Sequence, residues 1–205
     1  MVICNKRKLI FVHIPKTGGT TVEKRLNLTN LDNLYSTTLF QNGRTLQHMT
    51  WDKYKDKFPE KYKTYTTFSI VRNPYTRFLS SYMWMPPQSK LGILSGQTIE
   101  EFIEEAALCN MIKNYFKNPF FEHFLPQWKY IYDSNNNLMI DALFYQEKYH
   151  NIDTFLKEKF NCHSTTSFEI GNQHKPILTK ENKRKIFLIY KKDFELLGYN
   201  KTFQQ

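Results

Sequence analysis

A chain of 205 residues is long enough to bury a hydrophobic core, and this length predicts a single domain over residues 1–205. The hydrophobic share of 40% and the aromatic share of 16% exclude an intrinsically disordered protein, and no apolar stretch approaches the ~20 residues that cross a bilayer. The formal net charge of +10 favours a polyanionic partner, such as a nucleotide cofactor, an acidic polysaccharide, nucleic acid or an anionic membrane.

The cysteines predict neither a disulfide framework nor a zinc site, because Cys4, Cys109 and Cys162 are odd in number and far apart. We therefore expect a reducing compartment. The first residues lead almost directly into an apolar strand and leave no room for a signal peptide, which predicts a cytoplasmic location unless a targeting segment has been removed.

The first motif combines a strand, a tight turn and a helix. Leu9 to Ile14 form an apolar run that predicts a buried strand, Pro15 ends it, and helical spacing begins at Thr20. Such a turn suits an anion, because the first N–H groups of a helix have no internal partner and glycine lets the backbone approach a phosphate closely. The residues expected to contact phosphate are Lys16, Thr17, Gly18, Gly19, Thr20 and Thr21. The alternative is an ordinary strand-to-helix turn with a solvated lysine.

The string His-Ile-Pro-Lys-Thr-Gly-Gly-Thr at residues 13–20 does not fit the Walker pattern, because its lysine precedes its glycines. It resembles the 5′-phosphosulfate loop of the sulfotransferases that use 3′-phosphoadenosine 5′-phosphosulfate (PAPS). Its sequence is similar to that of the corresponding loop in the branch acting on carbohydrates, typified by the heparan and chondroitin sulfotransferases. The resemblance implies that Lys16 and the loop N–H groups stabilise the charge that grows on the leaving 5′-phosphate.

The next stretch of the chain contains the candidate base. The pattern predicts a strand over residues 34–40, a turn at residues 42–43 and a short amphipathic segment from Trp51 to Phe58, with His48 just before that segment. Transfer to a hydroxyl requires a group that removes its proton, and histidine changes protonation near neutral pH. In the carbohydrate branch a histidine after the second strand is the base, and the resemblance implies this role for His48. The alternative is a hydrogen-bonded structural histidine, which is also the role expected of His13.

The second motif follows a predicted buried strand at residues 65–71 and leads into a helix that Asn73 caps and Pro74 opens. A metal-dependent phosphoryl transferase usually has an aspartate at the end of this strand to hold magnesium. This chain has Arg72 there, and a planar guanidinium suits a bare phosphate. The alternative is an arginine in a surface salt bridge.

The string R-N-P-x-x-R-x-x-S at residues 72–80 closely resembles the 3′-phosphate element of PAPS sulfotransferases. The resemblance implies that Arg72 and Ser80 hold the 3′-phosphate. It leaves Arg77 as a supporting cation or a helix anchor.

The remaining elements predicted are a loop at residues 86–97, a helix from Ile99 to about Cys109 with a Thr98–Glu101 capping box, a strand from Leu138 to Tyr145, and helices at residues 152–160 and 180–190. Residues 118–133 are aromatic and basic. Aromatic faces of this kind suit stacking on sugars, but they more often fill a hydrophobic core, and core packing is the favoured interpretation. By resemblance, His123 and Gln127 are candidate acceptor contacts. The resemblance also implies a loop that closes over the donor, in which Lys175 binds the donor and His174 contacts phosphate or acceptor.

These patterns predict an α/β fold, with a central parallel sheet flanked by helices and a P-loop-like donor site at the carboxyl edge of the strands. The resemblance implies metal-independent, in-line transfer of a sulfuryl group from PAPS to a hydroxyl, which leaves 3′-phosphoadenosine 5′-phosphate (PAP). A carbohydrate is the first choice of acceptor, ahead of tyrosine, lipid and small-molecule hydroxyls, and no nucleic-acid partner is expected. If a targeting segment has been removed, the Golgi lumen replaces the cytoplasm.

Two other classes of function remain open from the residues alone. A nucleoside or nucleotide kinase would need magnesium and a carboxylate at a strand end. A non-catalytic protein that binds polyanions would account for the net charge of +10. The oligomeric state is not readable from these patterns.

Overall fold

The computed structural model of this chain describes residues 2–26, 40–41, 44–84, 98–104, 108–109, 112–114, 119–162 and 176–202. Its strands are β1 Val2–Cys4, β2 Leu9–Val12, β3 Phe40–Gln41, β4 Arg44–Thr45, β5 Thr66–Val71 and β6 Ala142–Tyr145. Its α-helices are α1 Gly19–Arg25, α2 Trp51–Lys57, α3 Pro59–Thr64, α4 Pro74–Trp84, α5 Ile99–Ile103, α6 Trp128–Ile131, α7 Tyr149–Phe160, α8 Lys180–Ile189 and α9 Lys191–Leu197. Short 3₁₀ helices cover Leu46–His48, Pro119–Phe124 and Gln146–Lys148.

A four-stranded mixed sheet organises the fold, in the spatial order β1-β2-β5-β6. β2, β5 and β6 are parallel to one another, and β1 is antiparallel to β2. A tight turn joins β1 to β2: the Lys8 N–H donates to the Asn5 carbonyl at 3.3 Å, and Lys8 adopts φ 49°. The predicted α/β fold with parallel central strands is confirmed, and β1 adds an antiparallel edge that the sequence pattern did not predict.

The register of the sheet places the two sequence motifs at one edge. Val12 pairs with Ser69, and Val71 pairs with Tyr145, so the carboxyl ends of the three parallel strands lie side by side. The chain leaves this edge after β2 into the glycine-bearing turn and after β5 into Arg72. In open α/β sheets this is the edge where ligands bind.

The chain divides into two compact units, and the first comprises Met1–Arg72 with Lys129–Gly171. One face of its sheet packs on α1 and α7. The core there consists of Cys4, Leu9, Phe11, Val22, Leu26, Phe68, Ile70, Ile152 and Leu156. Full burial of an aliphatic side chain contributes roughly 1.5–3 kcal/mol, so the packing of this face stabilises the strands that carry the site.

The second unit comprises Asn73–Trp128 with Asn172–Gln205 and is helical in the residues described. Its core includes Tyr75, Phe78, Leu79, Phe102, Phe124, Ile186, Tyr190 and Phe194. Asn73 caps α4 as predicted, since its side-chain oxygen accepts the Tyr75 N–H at 3.0 Å. The buried Asp193 carboxylate accepts the N–H groups of Gln127 at 2.9 Å and Trp128 at 2.8 Å. These bonds tie the start of α6 to α9.

Some predicted boundaries were wrong. β6 begins at Ala142 instead of Leu138, because Leu138 forms an isolated antiparallel bridge with Tyr132 and the Met139 N–H donates to the Ile131 carbonyl at 2.8 Å. The helix predicted for residues 180–190 is confirmed as α8, and a further helix, α9, follows it directly.

Several predictions fall outside the described residues. They concern the strand at residues 34–39, the turn at 42–43, the loop at 86–97, and both His174 and Lys175. Within the residues described, no helix is long and apolar enough to span a bilayer.

Candidate active site at the carboxyl edge of the sheet

The conformation of the turn after β2 is set by two left-handed residues and by one internal hydrogen bond. Lys16 adopts φ 67° and Gly18 adopts φ 91°, both in the left-handed region. A lysine pays a steric cost there that glycine avoids, so its conformation is imposed by the surrounding structure. The buried Thr17 hydroxyl donates to the Ile14 carbonyl at 2.8 Å, which braces the turn from within. Thr17 therefore uses its proton on the backbone, whereas Thr20 is exposed beside the turn.

Gly19 is small because another side chain occupies the space beside it. A Cβ atom added at this position would lie 2.1 Å from His13 Nε2 and 2.2 Å from His13 Cδ2. Real Cβ atoms do not approach other atoms so closely, because such an overlap is strongly repulsive. The His13 ring and the first residue of α1 thus pack directly together.

Two cationic residues meet at the edge of the sheet. The Arg72 guanidinium donates from Nη1 to the Lys16 carbonyl oxygen at 3.2 Å, which joins the end of β5 to the turn after β2. Partial burial, and then the positive charge of Arg72, lower the pKa of Lys16 to about 8. Like charges held together in a partly dehydrated place favour an anion beside them. The predicted donor residues Lys16 and Arg72 are therefore neighbours in the structure.

His48 lies in the same unit, in the 3₁₀ helix Leu46–His48, and is half-buried. Its ring meets the His13 ring edge to face, with 4.9 Å between centroids and 82° between planes. Since His13 contacts Gly19, the candidate base is connected to the turn through a single intervening ring. His13 is buried and stacked on Phe11, which agrees with the structural role predicted for it.

The buried carboxylate of Glu23 connects α1 with His13 and with the 3₁₀ helix that contains His48. Glu23 on α1 is 8% exposed and accepts a hydrogen bond from His13 Nδ1 at 2.7 Å. It also accepts from the Gln47 amide, at 2.8 Å to Oε1 and 3.0 Å to Oε2. The sequence reasoning did not identify Glu23 or Gln47. The signal that could have identified Glu23 is its position directly after the apolar Val22, on the buried side of α1.

The pKa values of this pair define its protonation. Burial lowers the pKa of His13, although the hydrogen bond to Glu23 opposes this shift. Burial by itself would raise the pKa of Glu23, but the hydrogen bond and charge of His13 and the Gln47 amide bring it below its ordinary value. The lowered pKa of Glu23 favours its carboxylate form, which accepts the hydrogen bond from His13 Nδ1.

The other predicted residues belong to the second unit. Ser80 is half-buried on α4. Arg77 is 2% exposed and donates to the His123 carbonyl at 3.2 Å, and Ser81 donates to the same oxygen at 2.9 Å. Of the two roles considered for Arg77, these contacts support the helix anchor.

The candidate acceptor contacts His123 and Gln127 are both buried, at 7% and 0% exposure. The His123 ring stacks on Trp84 with 4.0 Å between centroids. These positions agree with the core-packing interpretation of the aromatic segment.

Comparison with known proteins gives a family. A family model described as "Sulfotransferase family" matches residues 1–129, which is more than half of the chain and contains both motifs, His48 and the start of α6. No curated protein and no solved structure matches the chain.

Proposed function

Because this chain belongs to the sulfotransferase family, we propose that PAPS is its sulfuryl donor and that the hydroxyl of a carbohydrate is its acceptor. Sulfuryl transfer itself follows from the family. The identity of the donor, the acceptor and the catalytic groups is the proposal. The observation that carries it is the contact between Arg72 and the Lys16 carbonyl, which brings the ends of the two motifs together.

The residues present fit a donor with phosphates at both ends. Lys16 supplies a cation whose pKa, lowered to about 8 by burial and by Arg72, rises again when an anion binds. Gly18, at φ 91°, adds no side chain to the turn, so that a phosphate can approach the backbone N–H groups there. Arg72 with Ser80 would bind the 3′-phosphate, a group that ATP lacks.

The chemistry that PAPS supplies is an activated sulfuryl group on a phosphate leaving group. His48 accepts the proton of the acceptor hydroxyl as its oxygen forms the new bond to sulfur. Lys16 stabilises the negative charge that grows on the 5′-phosphate as the bond between sulfur and the bridging oxygen breaks. Fixed cations and backbone N–H groups perform the neutralisation that a metal ion performs in phosphoryl transfer.

The carbohydrate acceptor rests on two features. The sequence of residues 13–20 is similar to that of the same loop in the carbohydrate branch. The net charge of +10 suits an acidic polysaccharide. The kinase alternative is not favoured, because the family match is to sulfotransferases and β5 ends at an arginine.

The test is transfer of label from ³⁵S-PAPS to a panel of acceptors: desulfated heparan and chondroitin chains, neutral oligosaccharides, a tyrosine peptide and a phenol, with EDTA present throughout. We expect labelled glycan and PAP in equal amounts. Labelled peptide or phenol without labelled glycan would overturn the carbohydrate acceptor. Failure to bind PAP at all would overturn the donor assignment.

A further inference from the structure

Glu23 is a buried polar group at the candidate site that lies outside the strings at residues 13–20 and 72–80. Its carboxylate accepts from His13 Nδ1 and from the Gln47 amide, so three hydrogen-bond contacts converge on a side chain that is 8% exposed. A buried carboxylate is costly unless such partners satisfy it, so its position depends on both of them. Glu23 thereby joins α1, the end of β2 and the segment before α2.

Both partners of Glu23 adjoin the candidate base. Gln47 is the residue directly before His48 in the same 3₁₀ helix, so its bonds to Glu23 hold the backbone of that turn. His13 meets the His48 ring edge to face at 4.9 Å between centroids, which limits how that ring can tilt. The Glu23 carboxylate thus acts on the backbone next to His48 through one partner and on its ring through the other.

The same carboxylate acts on the donor side of the site. Its hydrogen bond holds the His13 ring with Nε2 against Gly19, where a Cβ would lie 2.1 Å away. Glu23 is on α1 four residues after Gly19, about one helical turn. Glu23 therefore connects the turn at residues 16–19, through His13, with the 3₁₀ helix that contains His48.

We propose that Glu23, with His13 and Gln47, is a positioning group that holds His48 at a fixed place and orientation relative to the turn formed by residues 16–19. The inference rests on the proposed function of His48 as the base, and it concerns residues to which neither motif assigns a role. Glu23 itself takes no proton from the acceptor. Its contribution is geometric, and misplacing a catalytic group by about 1 Å costs on the order of 10²-fold in rate.

The test is a set of single variants measured for kcat, for the KM of the donor and for PAP affinity. Glu23→Leu removes the carboxylate that accepts from both His13 and Gln47. Gln47→Met removes only the hydrogen bonds between Gln47 and Glu23. Glu23→Gln keeps an oxygen that can accept the hydrogen bond from His13. We expect kcat to fall about 10- to 100-fold in the first variant, less in the second and least in the third, with PAP affinity within about threefold of wild type. Glu158→Leu, an exposed position on α7, is the matched control and should leave kcat unchanged.

A double-mutant cycle with His48→Ala decides whether Glu23 acts through His48. If it does, Glu23→Leu will lower kcat far less in the His48→Ala background than in wild type. Equal losses in both backgrounds would overturn the inference, as would unchanged kcat in folded Glu23→Leu or Gln47→Met. A loss of PAP affinity that accounts for the whole effect would also overturn it, because Glu23 would then hold only the turn.

A second readout does not depend on activity. The ring resonances of His48, followed by ¹H–¹³C NMR in protein without ligand, should shift in Glu23→Leu and Gln47→Met and stay unchanged in Glu158→Leu. Unshifted resonances in the first two variants would refute the positioning role. Should wild type transfer no sulfuryl group to any acceptor, the proposed function fails by that result alone, while the NMR comparison still decides whether Glu23 positions His48.

Discussion

Replacing Gly19 with alanine tests the packing that relates the turn to His13. The added Cβ would lie 2.1 Å from His13 Nε2, 2.2 Å from Cδ2 and 2.7 Å from Cε1, so the ring or the start of α1 must move. The ring cannot move freely, since Nδ1 is bonded to Glu23 at 2.7 Å and one face is stacked on Phe11. We therefore expect Gly19→Ala to be destabilising.

The size of the effect follows from two opposing contributions. Overpacking a well-packed interior costs about 1–3 kcal/mol. Alanine is preferred over glycine in a helix interior by at most ~1 kcal/mol, and Gly19, as the first residue of α1, gains less than that. The net loss is about 1–2 kcal/mol, which for a chain of this length corresponds to a fall of roughly 2–8 °C in Tm.

The assay is urea and thermal unfolding followed by circular dichroism, in the wild-type and His13→Ala backgrounds. Removing the ring removes the clash, so Gly19→Ala should cost markedly less in the second background. Gly198→Ala is the control: Gly198 has φ +67° and no neighbour within 4 Å of an added Cβ, so its cost of about 1 kcal/mol comes from the backbone alone. That cost should be the same in both backgrounds. Unchanged stability of Gly19→Ala, or the same loss with and without His13, would refute the reasoning.

Three further predictions concern the candidate active site. Because the pKa of Lys16 is about 8 and an anion raises it, PAP affinity should fall by up to about tenfold per pH unit above pH 8; calorimetry that finds equal affinity at pH 7 and pH 9.5 would contradict this. His48→Ala should lower kcat by about 10²–10⁴-fold while PAP still binds, and near-normal turnover would remove His48 from the mechanism. Arg72→Ala should weaken PAP binding at least about tenfold, since a hydrogen bond to a charged group contributes roughly 1.5–3 kcal/mol, whereas unchanged affinity in a folded variant would contradict the 3′-phosphate assignment.

The elements that the sequence predicted well are those specified by neighbouring residues. The strand–turn–helix at residues 9–25 follows from an apolar run, a proline and two glycines, and the structure has β2 and α1 there. The Thr98–Glu101 capping box forms as predicted, with the Thr98 N–H donating to Glu101 Oε2 at 2.7 Å. Capping and hydrophobic periodicity operate over three or four residues, and a sequence displays them directly.

The arrangement of the site was not readable in that way. The antiparallel edge β1 depends on pairing with β2, and the start of the predicted Leu138–Tyr145 strand is altered by a bridge between Leu138 and Tyr132. Glu23 meets His13 across 10 residues and Gln47 across 24, and Arg72 meets the Lys16 carbonyl across 56. Such contacts form only when β2, β5 and α1 are packed together.

The two phosphate-site strings, the α/β alternation and the chemical types of the site residues are local properties of the chain and can be read along it. Which of those side chains are neighbours depends on the folded arrangement. It placed Arg72 beside Lys16, tucked His13 against Gly19, and buried Glu23 between His13 and Gln47. The physical reason is that burial and long-range hydrogen bonding, which set the protonation and orientation of these groups, exist only once distant segments share a core.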